Sequence, residues 1–343
     1  MKSFGILEFD KEKSGYKFGK HELLLLVIGL VVFFAAILLP IPGLELAGRK
    51  ALAIILLCLF CYANPGIPNL FASFLMFVLA IAMGLIGYGQ YAMAVGTSPL
   101  IMLTCLFIVS AGVTNTNLAQ RLAYTLLLKL GHKPKGIVAA MVLAGVIVSA
   151  LIANMPACLI LAAIGASVLK ELGEKPGESR LGKAVLIGIS TSTIVGGVAF
   201  ISSSGTNPSN VALIEAATDS AYTISYNQWA AIGVPFALIM TPVLIFVLNR
   251  VFGINEKTVP LSVDKEGVQK KLHDLGPVTK SEVRYLITLA IMMVLFLTTS
   301  VTHLNVPVVT VIGMLLVICP GWGTVNIDQA VKTVPWSVVF FAA

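Results

Sequence analysis

SALIANMPACLILAA, residues 149–163, lies in the middle of a run without a charged residue from Gly136 to Leu169, flanked by Lys135 and Lys170. As one helix those 34 residues would be about 50 Å long at about 1.5 Å per residue, against a hydrocarbon core of about 30 Å. The run is too long for a single straight crossing. Near its midpoint sit Asn154, which is costly against lipid, and Pro156, which removes a backbone donor and disfavours a helical Met155. Two helical arms joined at Asn154 are the expected outcome.

Composition places such a hairpin in a membrane. The chain is 57% hydrophobic and 11% charged, with a mean hydropathy of +0.95. No soluble domain of 343 residues covers that much apolar surface, and the apolar runs are continuous, not alternating as in a barrel. The fold class read from the sequence is an all-α polytopic membrane protein. The net charge of +7 sits in short loops between apolar runs, the pattern of orientation signals and not of a nucleic-acid partner. Five cysteines lie within or beside apolar runs. Cys58 and Cys61, one helical turn apart, read as small apolar residues in preference to a metal or redox pair. Residues 1–20 hold five lysines and no apolar core, so the start does not read as a signal peptide.

The expected spans are 23–39, 51–63, 70–87, 99–128, the run 136–169, 184–218, 229–248, 285–302 and 306–319, with a last apolar piece at 334–343. The lysine-rich N-terminus is placed in the cytoplasm and the run 136–169 counted as no net crossing. The inside segments 1–22, 129–135, 170–183, 249–284 and 320–333 then hold 20 of the 23 Lys and Arg. Arg121 lies near the inner end of its span, and only Arg49 and Lys50 fall outside. Counting the run as one crossing would move the basic loop 170–183 and the lysine-rich segment 249–284 to the outside. The charges thus predict a hairpin that enters and leaves on the cytoplasmic side. Its tip is expected at membrane depth inside protein or beside a wet cavity, where alone irregular backbone survives, the alternative being a full-depth hairpin whose tip reaches the outer surface.

A second interruption follows. Residues 184–214 are again uncharged, and their middle reads SSSGTNPSN, 202–210. Such a segment breaks a helix, exposing carbonyls of the arriving half, which suit a hard cation, and N–H groups of the departing half, which suit an anion. Two interruptions close in sequence are the signature of a secondary transporter's binding site. Glu215 and Asp219 lie towards the outer end of the broken helix and read as interfacial. Without an acid at membrane depth, sodium coupling is expected over a proton relay. Nothing matches GxxxxGK[ST], HExxH or a supported GxSxG, and none of His21, His132, His273 and His303 has a metal-ligand neighbour, so no enzyme and no cofactor are expected.

A basic loop, a hairpin with Asn at its tip and a broken helix carrying Gly205-Thr206-Asn207-Pro208 and Asn210 resemble the divalent anion/sodium symporter family, from about Pro99 to the end of the chain. The linker ending LGPVTKSEVRYL, 275–286, resembles that family's inter-repeat linker. The resemblance implies sodium-coupled carriage of di- or tricarboxylates or sulfate by alternating access. It further implies two inverted repeats, a homodimer, and a multi-pass place in the inner (plasma) membrane with a cytoplasmic N-terminus. It implies a sodium site of Ser149, the Ala153 carbonyl, Asn154 and the Gly205 carbonyl, and substrate contacts from Asn154, Met155, Thr206, Asn207 and Pro208. Ala153 and Met155 stand where the family has Ser and Thr. An antiporter of the same superfamily, for an oxyanion or for cation and proton, is the alternative, and a non-transport membrane module the more distant one.

The expected organisation is 1–98 as tail and scaffold helices; 99–248 as the first repeat, with hairpin 136–169, broken helix 184–218 and following helix 229–248; and 249–284 as a cytoplasmic linker with an amphipathic helix at 265–275. Residues 285–343 are expected to hold scaffold helices and the start of a second repeat. Pro335–Ala343 echoes CLFIVSAG, 105–112, and the second half-site is expected beyond the given sequence.

Overall fold

The computed structural model describes residues 19–175, 177–219, 221–255, 265–302, 304–336 and 338–339. Outside the described residues lie the N-terminal tail 1–18, the stretch 256–264 of the expected linker, His303, and Ser337 with 340–343 of the expected second-repeat start. The regular structure among the described residues is helical, as the continuous apolar runs require. The chain forms two compact units, Met1–Thr97 with Trp336–Ala343, and Ser98–Pro335.

The first unit holds α1 (Lys20–Leu38), α2 (Leu46–Ala63), α3 (Asn69–Ala82) and α4 (Tyr88–Val95). Phe33, Ala53, Leu57, Cys58, Cys61 and Ala72 form its core, and all five cysteines of the chain are free. Arg49 and Lys50, the two cations outside the expected charge bias, both bind helix-end carbonyls. Arg49 Nη1 donates to the Ile37 and Leu39 carbonyls at 3.3 Å, and Lys50 Nζ to that of Met83 at 2.9 Å. Those carbonyls close α1 and α3, where cations are favoured.

The second unit begins with α5 (Ser98–Thr114) and α6 (Leu118–Leu130), then α7 (Pro134–Leu151), α8 (Asn154–Glu171) and α9 (Arg180–Gly197). A 3-10 turn at Ile201–Ser203 leads into α10 (Thr206–Ala217), followed by α11 (Tyr226–Val251), α12 (Lys265–Asp274), α13 (Lys280–Leu297), α14 (Thr299–Thr302), α15 (Val306–Ile318) and α16 (Ile327–Thr333). Among the described residues, five helices are long and apolar enough to cross a membrane: α1, α2, α7, α8 and α11. The pair α5 and α6 makes a sixth if counted as one span, although it bends by 60°.

That bend corrects the single span expected over 99–128. Asn115, Thr116 and Asn117 interrupt it, and the Asn115 amide donates outside the helix, to the Thr324 carbonyl at 3.4 Å and Gln329 Oε1 at 3.1 Å. Side-chain amides that find distant partners release the backbone from the helical ladder.

Contacts between small residues set the directions of the helices. A Cβ on Gly145 would lie 1.9 Å from Ser192 Oγ, and one on Gly196 would lie 2.3 Å from the Val146 carbonyl oxygen, so α7 and α9 run side by side in the same direction. A Cβ on Gly165 would touch Ile189 at 2.7 Å and Met141 at 3.6 Å, which returns α8 antiparallel to both. Gly188 faces Leu248, and Gly233 faces the Val198 carbonyl, so α11 is antiparallel to α9. The starts of α7 and α9 and the ends of α8 and α11 therefore share one face of the unit. Small residues at these crossings let backbones approach, the usual device where lipid gives no hydrophobic driving force.

The α12 helix covers the expected amphipathic stretch and docks on this same unit. Val268 is buried, and Lys271 pairs with Glu171 of α8, donates to Ser167 Oγ at 2.9 Å and lies over the Tyr124 ring of α6. At the start of α13 a capping box of Thr279 and Glu282 fixes the entry, and Arg121 reaches across from α6. Its Nε meets Glu282 at 2.9 Å, while Nη1 donates to the Gly276 carbonyl and Nη2 to those of Leu275 and Pro277.

Candidate functional site

The two arms of the hairpin meet at Ile152 and Ala153, both buried in protein and not presented as a solvent loop. Each arm has 18 residues, or about 27 Å at 1.5 Å per residue. Pro156 falls in the first turn of α8, where a missing N–H costs nothing, so the proline begins the second arm and does not break it. The tip is held from three sides. The Ala153 N–H donates to Ser110 Oγ of α5 at 3.2 Å, Ser149 Oγ donates to the Thr193 carbonyl of α9 at 2.6 Å, and Ser203 Oγ donates to the Ala150 carbonyl at 2.7 Å. The last bond joins the hairpin directly to the broken helix.

The break itself falls earlier than SSSGTNPSN suggests. It covers 198–205, and Thr206 to Asn210 already form the first turn of α10, with Pro208 in that turn as Pro156 is in α8. Apolar Val198, Ala199 and Ile201 leave the helix because other groups take the freed carbonyls. Trp229 Nε1 of α11 donates to the Val198 carbonyl at 2.9 Å, and the Asn207 amide donates to those of Gly197 and Phe200 at 2.7 and 2.9 Å. A buried carbonyl needs such a partner wherever no water reaches it. The Ser202 and Tyr226 hydroxyls share a hydrogen bond at 3.0 Å, and Tyr226 stacks between Phe200 and Phe296.

Gly197 is where the elements converge. It receives Asn207 from the start of α10 on its carbonyl, and the Asn154 side chain from the start of α8 lies against its Cα, with Nδ2 3.4 Å from a Cβ placed there. Two helix N-termini thus meet the C-terminal end of a third. Of the half-buried and buried polar side chains in this cluster, the Asn154 amide is the one without a hydrogen bond among the described residues. It presents two donors and one acceptor.

The structure draws the sequence-derived residues together unevenly. Ser149, Ala153, Asn154 and Asn207 lie around Gly197 and the break. Ser149 donates its proton to Thr193, which leaves its oxygen lone pairs for a cation, while the Ala153 carbonyl accepts from Ala157 N at 3.3 Å and that of Gly205 from Ser209 Oγ at 3.4 Å. Asn207 has both donors engaged by backbone, and Pro208 is buried. Thr206 is exposed and bonded to Ser204 Oγ at 3.0 Å, and the Met155 side chain is exposed. Sequence reasoning missed Ser110, Gly197, Ser203 and Trp229. The lone serine of CLFIVSAG was a usable signal for Ser110, and nothing local marks the others.

Apolar helices of spanning length packed around two helix starts that meet at Gly197 define a polytopic helical membrane protein with a site built from interrupted helices. The sequence pattern of the citrate transporter family (CitMHS) matches residues 51–343, and the chain belongs to that family. A sodium-dependent dicarboxylate transporter of Staphylococcus saprophyticus is 25% identical over 304 residues, 85% of this chain and 57% of that protein. A membrane protein of Cupriavidus necator is 23% identical over 338 residues, covering 91% of this chain and 64% of its own length. An uncharacterized transporter of Schizosaccharomyces pombe is 24% identical over 241 residues, 66% of this chain and 26% of that protein. The chain spans about half to two thirds of the bacterial relatives it matches. The resemblance to divalent anion/sodium symporters is met by these relatives, and the family's name is that of a transporter, not of an enzyme.

Proposed function

We propose that the protein of which this chain forms at least a part is a sodium-coupled secondary transporter of small di- or tricarboxylates, working by alternating access. The observation that carries the reading is the Asn154 amide, without a hydrogen bond among the described residues where two helix starts meet at Gly197. Its oxygen suits Na⁺ together with the Ser149 oxygen and nearby carbonyls. Its NH₂ and the positive ends of α8 and α10 suit a carboxylate. The hairpin and broken helix form the moving unit, entering from the cytoplasmic side of an inner (plasma) membrane, and the carrier is a homodimer. Support comes from the family, the dicarboxylate-transporting relative and the site's chemistry taken together.

The test is uptake of labelled succinate and citrate into proteoliposomes holding the intact protein, under sodium and proton gradients in turn. Asn154→Asp keeps the shape but loses both donors and adds a charge beside an anion. At an effective dielectric of about 20, two unit charges about 4 Å apart repel by roughly 4 kcal/mol. Uptake is therefore abolished while sodium-dependent thermal stabilisation stays or strengthens; Asn154→Ala weakens both. Wild-type uptake by Asn154→Asp refutes the site, and uptake that follows only the proton gradient points to the antiporter reading.

A further inference from the structure

At the face where α7 and α9 start and α11 ends, a cleft of about 190 Å³ is lined by Lys135, Phe246, Asn249, Arg250, Gly253, Ile254 and Asn255. Arg180, the first residue of α9, brings Nη1 to 3.8 Å from a Cβ placed on Gly253, so a third cation borders the cleft. Lys135, Arg180 and Arg250 have no ion pair or hydrogen bond among the described residues, whereas Lys271, on the same end of the unit, is paired with Glu171. Three cations with no carboxylate partner, drawn towards one hollow, leave a local charge that an anion would neutralise.

Two further features specify the anion. Ile239, Val243, Phe246, Val247 and Val251 form an exposed apolar flank of α11 that runs up to Arg250, and Phe246 both belongs to that flank and lines the cleft. An occupant with an apolar chain below a charged head fits this layout, as in basic pockets between transmembrane helices. The Asn249 amide donates to the Ile245 carbonyl at 2.8 Å, while its Oδ1 is buried with no donor to satisfy it. Such an acceptor is costly without a partner, so the head should also carry an O–H.

We propose that this cleft binds the headgroup of an anionic glycerophospholipid, with its phosphate diester between Lys135, Arg180 and Arg250 and a headgroup hydroxyl donating to Asn249 Oδ1. The site is separate from the Gly197 cluster and does not depend on what the protein transports.

The intact protein in detergent is presented with equal amounts of phosphatidylglycerol and phosphatidylcholine, and retained lipid is read by native mass spectrometry. Each cation near an anionic head contributes about a fivefold preference, so Lys135→Ala with Arg250→Ala should lower phosphatidylglycerol retention about 25-fold. Lys270→Ala with Lys280→Ala removes the same charge outside the cleft and should leave retention unchanged. Unchanged retention in the first pair, or an equal loss in the second, overturns the site. Asn249→Leu should weaken phosphatidylglycerol but not phosphatidylmethanol, a phosphate diester of the same charge without a headgroup hydroxyl; equal weakening overturns the hydroxyl contact. Glycerol phosphate or inorganic phosphate displacing the lipid at equal concentration would reassign the cleft to a free phosphate.

Discussion

Replacing Arg121 by Met isolates the clamp between α6 and the start of α13. The guanidinium makes four hydrogen bonds: one to Glu282 at 2.9 Å and three to the carbonyls of 275–277. Glu282 has a side chain only 1% exposed, against 16% for Arg121, so removing the cation strands a buried carboxylate. Breaking such a pair costs about 3–5 kcal/mol. Glu282 Oε2 keeps the Thr279 N–H at 2.7 Å, and Arg121 is partly solvated, which places the loss near the lower end, at about 3 kcal/mol. At roughly 2–4 °C per kcal/mol for a chain of this size, thermal unfolding of the intact protein in detergent should fall by about 6–12 °C. Arg121→Met with Glu282→Met removes both charges and should recover at least about half of that fall, since apolar replacement of a buried pair is often neutral. A fall below about 2 °C in the single variant, or a double variant worse than the single, would refute the reasoning.

Two adjacent glycines should behave differently. A Cβ on Gly196 would sit 2.3 Å from the Val146 carbonyl oxygen, backbone that cannot yield, so Gly196→Ala should cost about 3 kcal/mol and show as lost monodisperse protein on size exclusion. At Gly197 the nearest atom is Asn154 Cβ at 3.3 Å, so Gly197→Ala should fold but displace the amide and slow uptake by about tenfold or more. The reverse order would contradict the assignment of one glycine to packing and the other to the site. Cysteines at His132 and Ser179, in the intact protein freed of its native cysteines, should label from one face of the membrane, because the starts of α7 and α9 share one end. Labelling from opposite faces would exclude the hairpin.

Much of this arrangement is legible in residues 136–218. Lysines at both ends of an uncharged run, with Asn154 and Pro156 at its centre, specify two arms, and Gly205 with Pro208 specifies a second interruption. Legibility ended where tertiary partners decide the backbone. Val198 to Ile201 are good span residues by composition, and they leave the helix only because Trp229 and Asn207 reach their neighbourhood from 31 and 7–10 residues away. The bend after Thr114 had a local signal in three polar residues, but its effect depends on partners more than 200 residues on. Gly197 carries no local mark at all, since its role is to be approached from two sides.

The bond from Ser203 to the Ala150 carbonyl links residues 53 positions apart, and that separation becomes a delay during synthesis. At about 5–20 residues per second, the hairpin tip is made roughly 3–10 s before the serine that closes it. The Thr193 carbonyl that anchors Ser149 also arrives late, 44 residues on. For that interval the Ala150 carbonyl and the Ser149 hydroxyl lack these partners. Until α9 and the 3-10 turn emerge, the two arms therefore lack the partners that close their tip, so the hairpin reaches its final form only together with the segment that follows it.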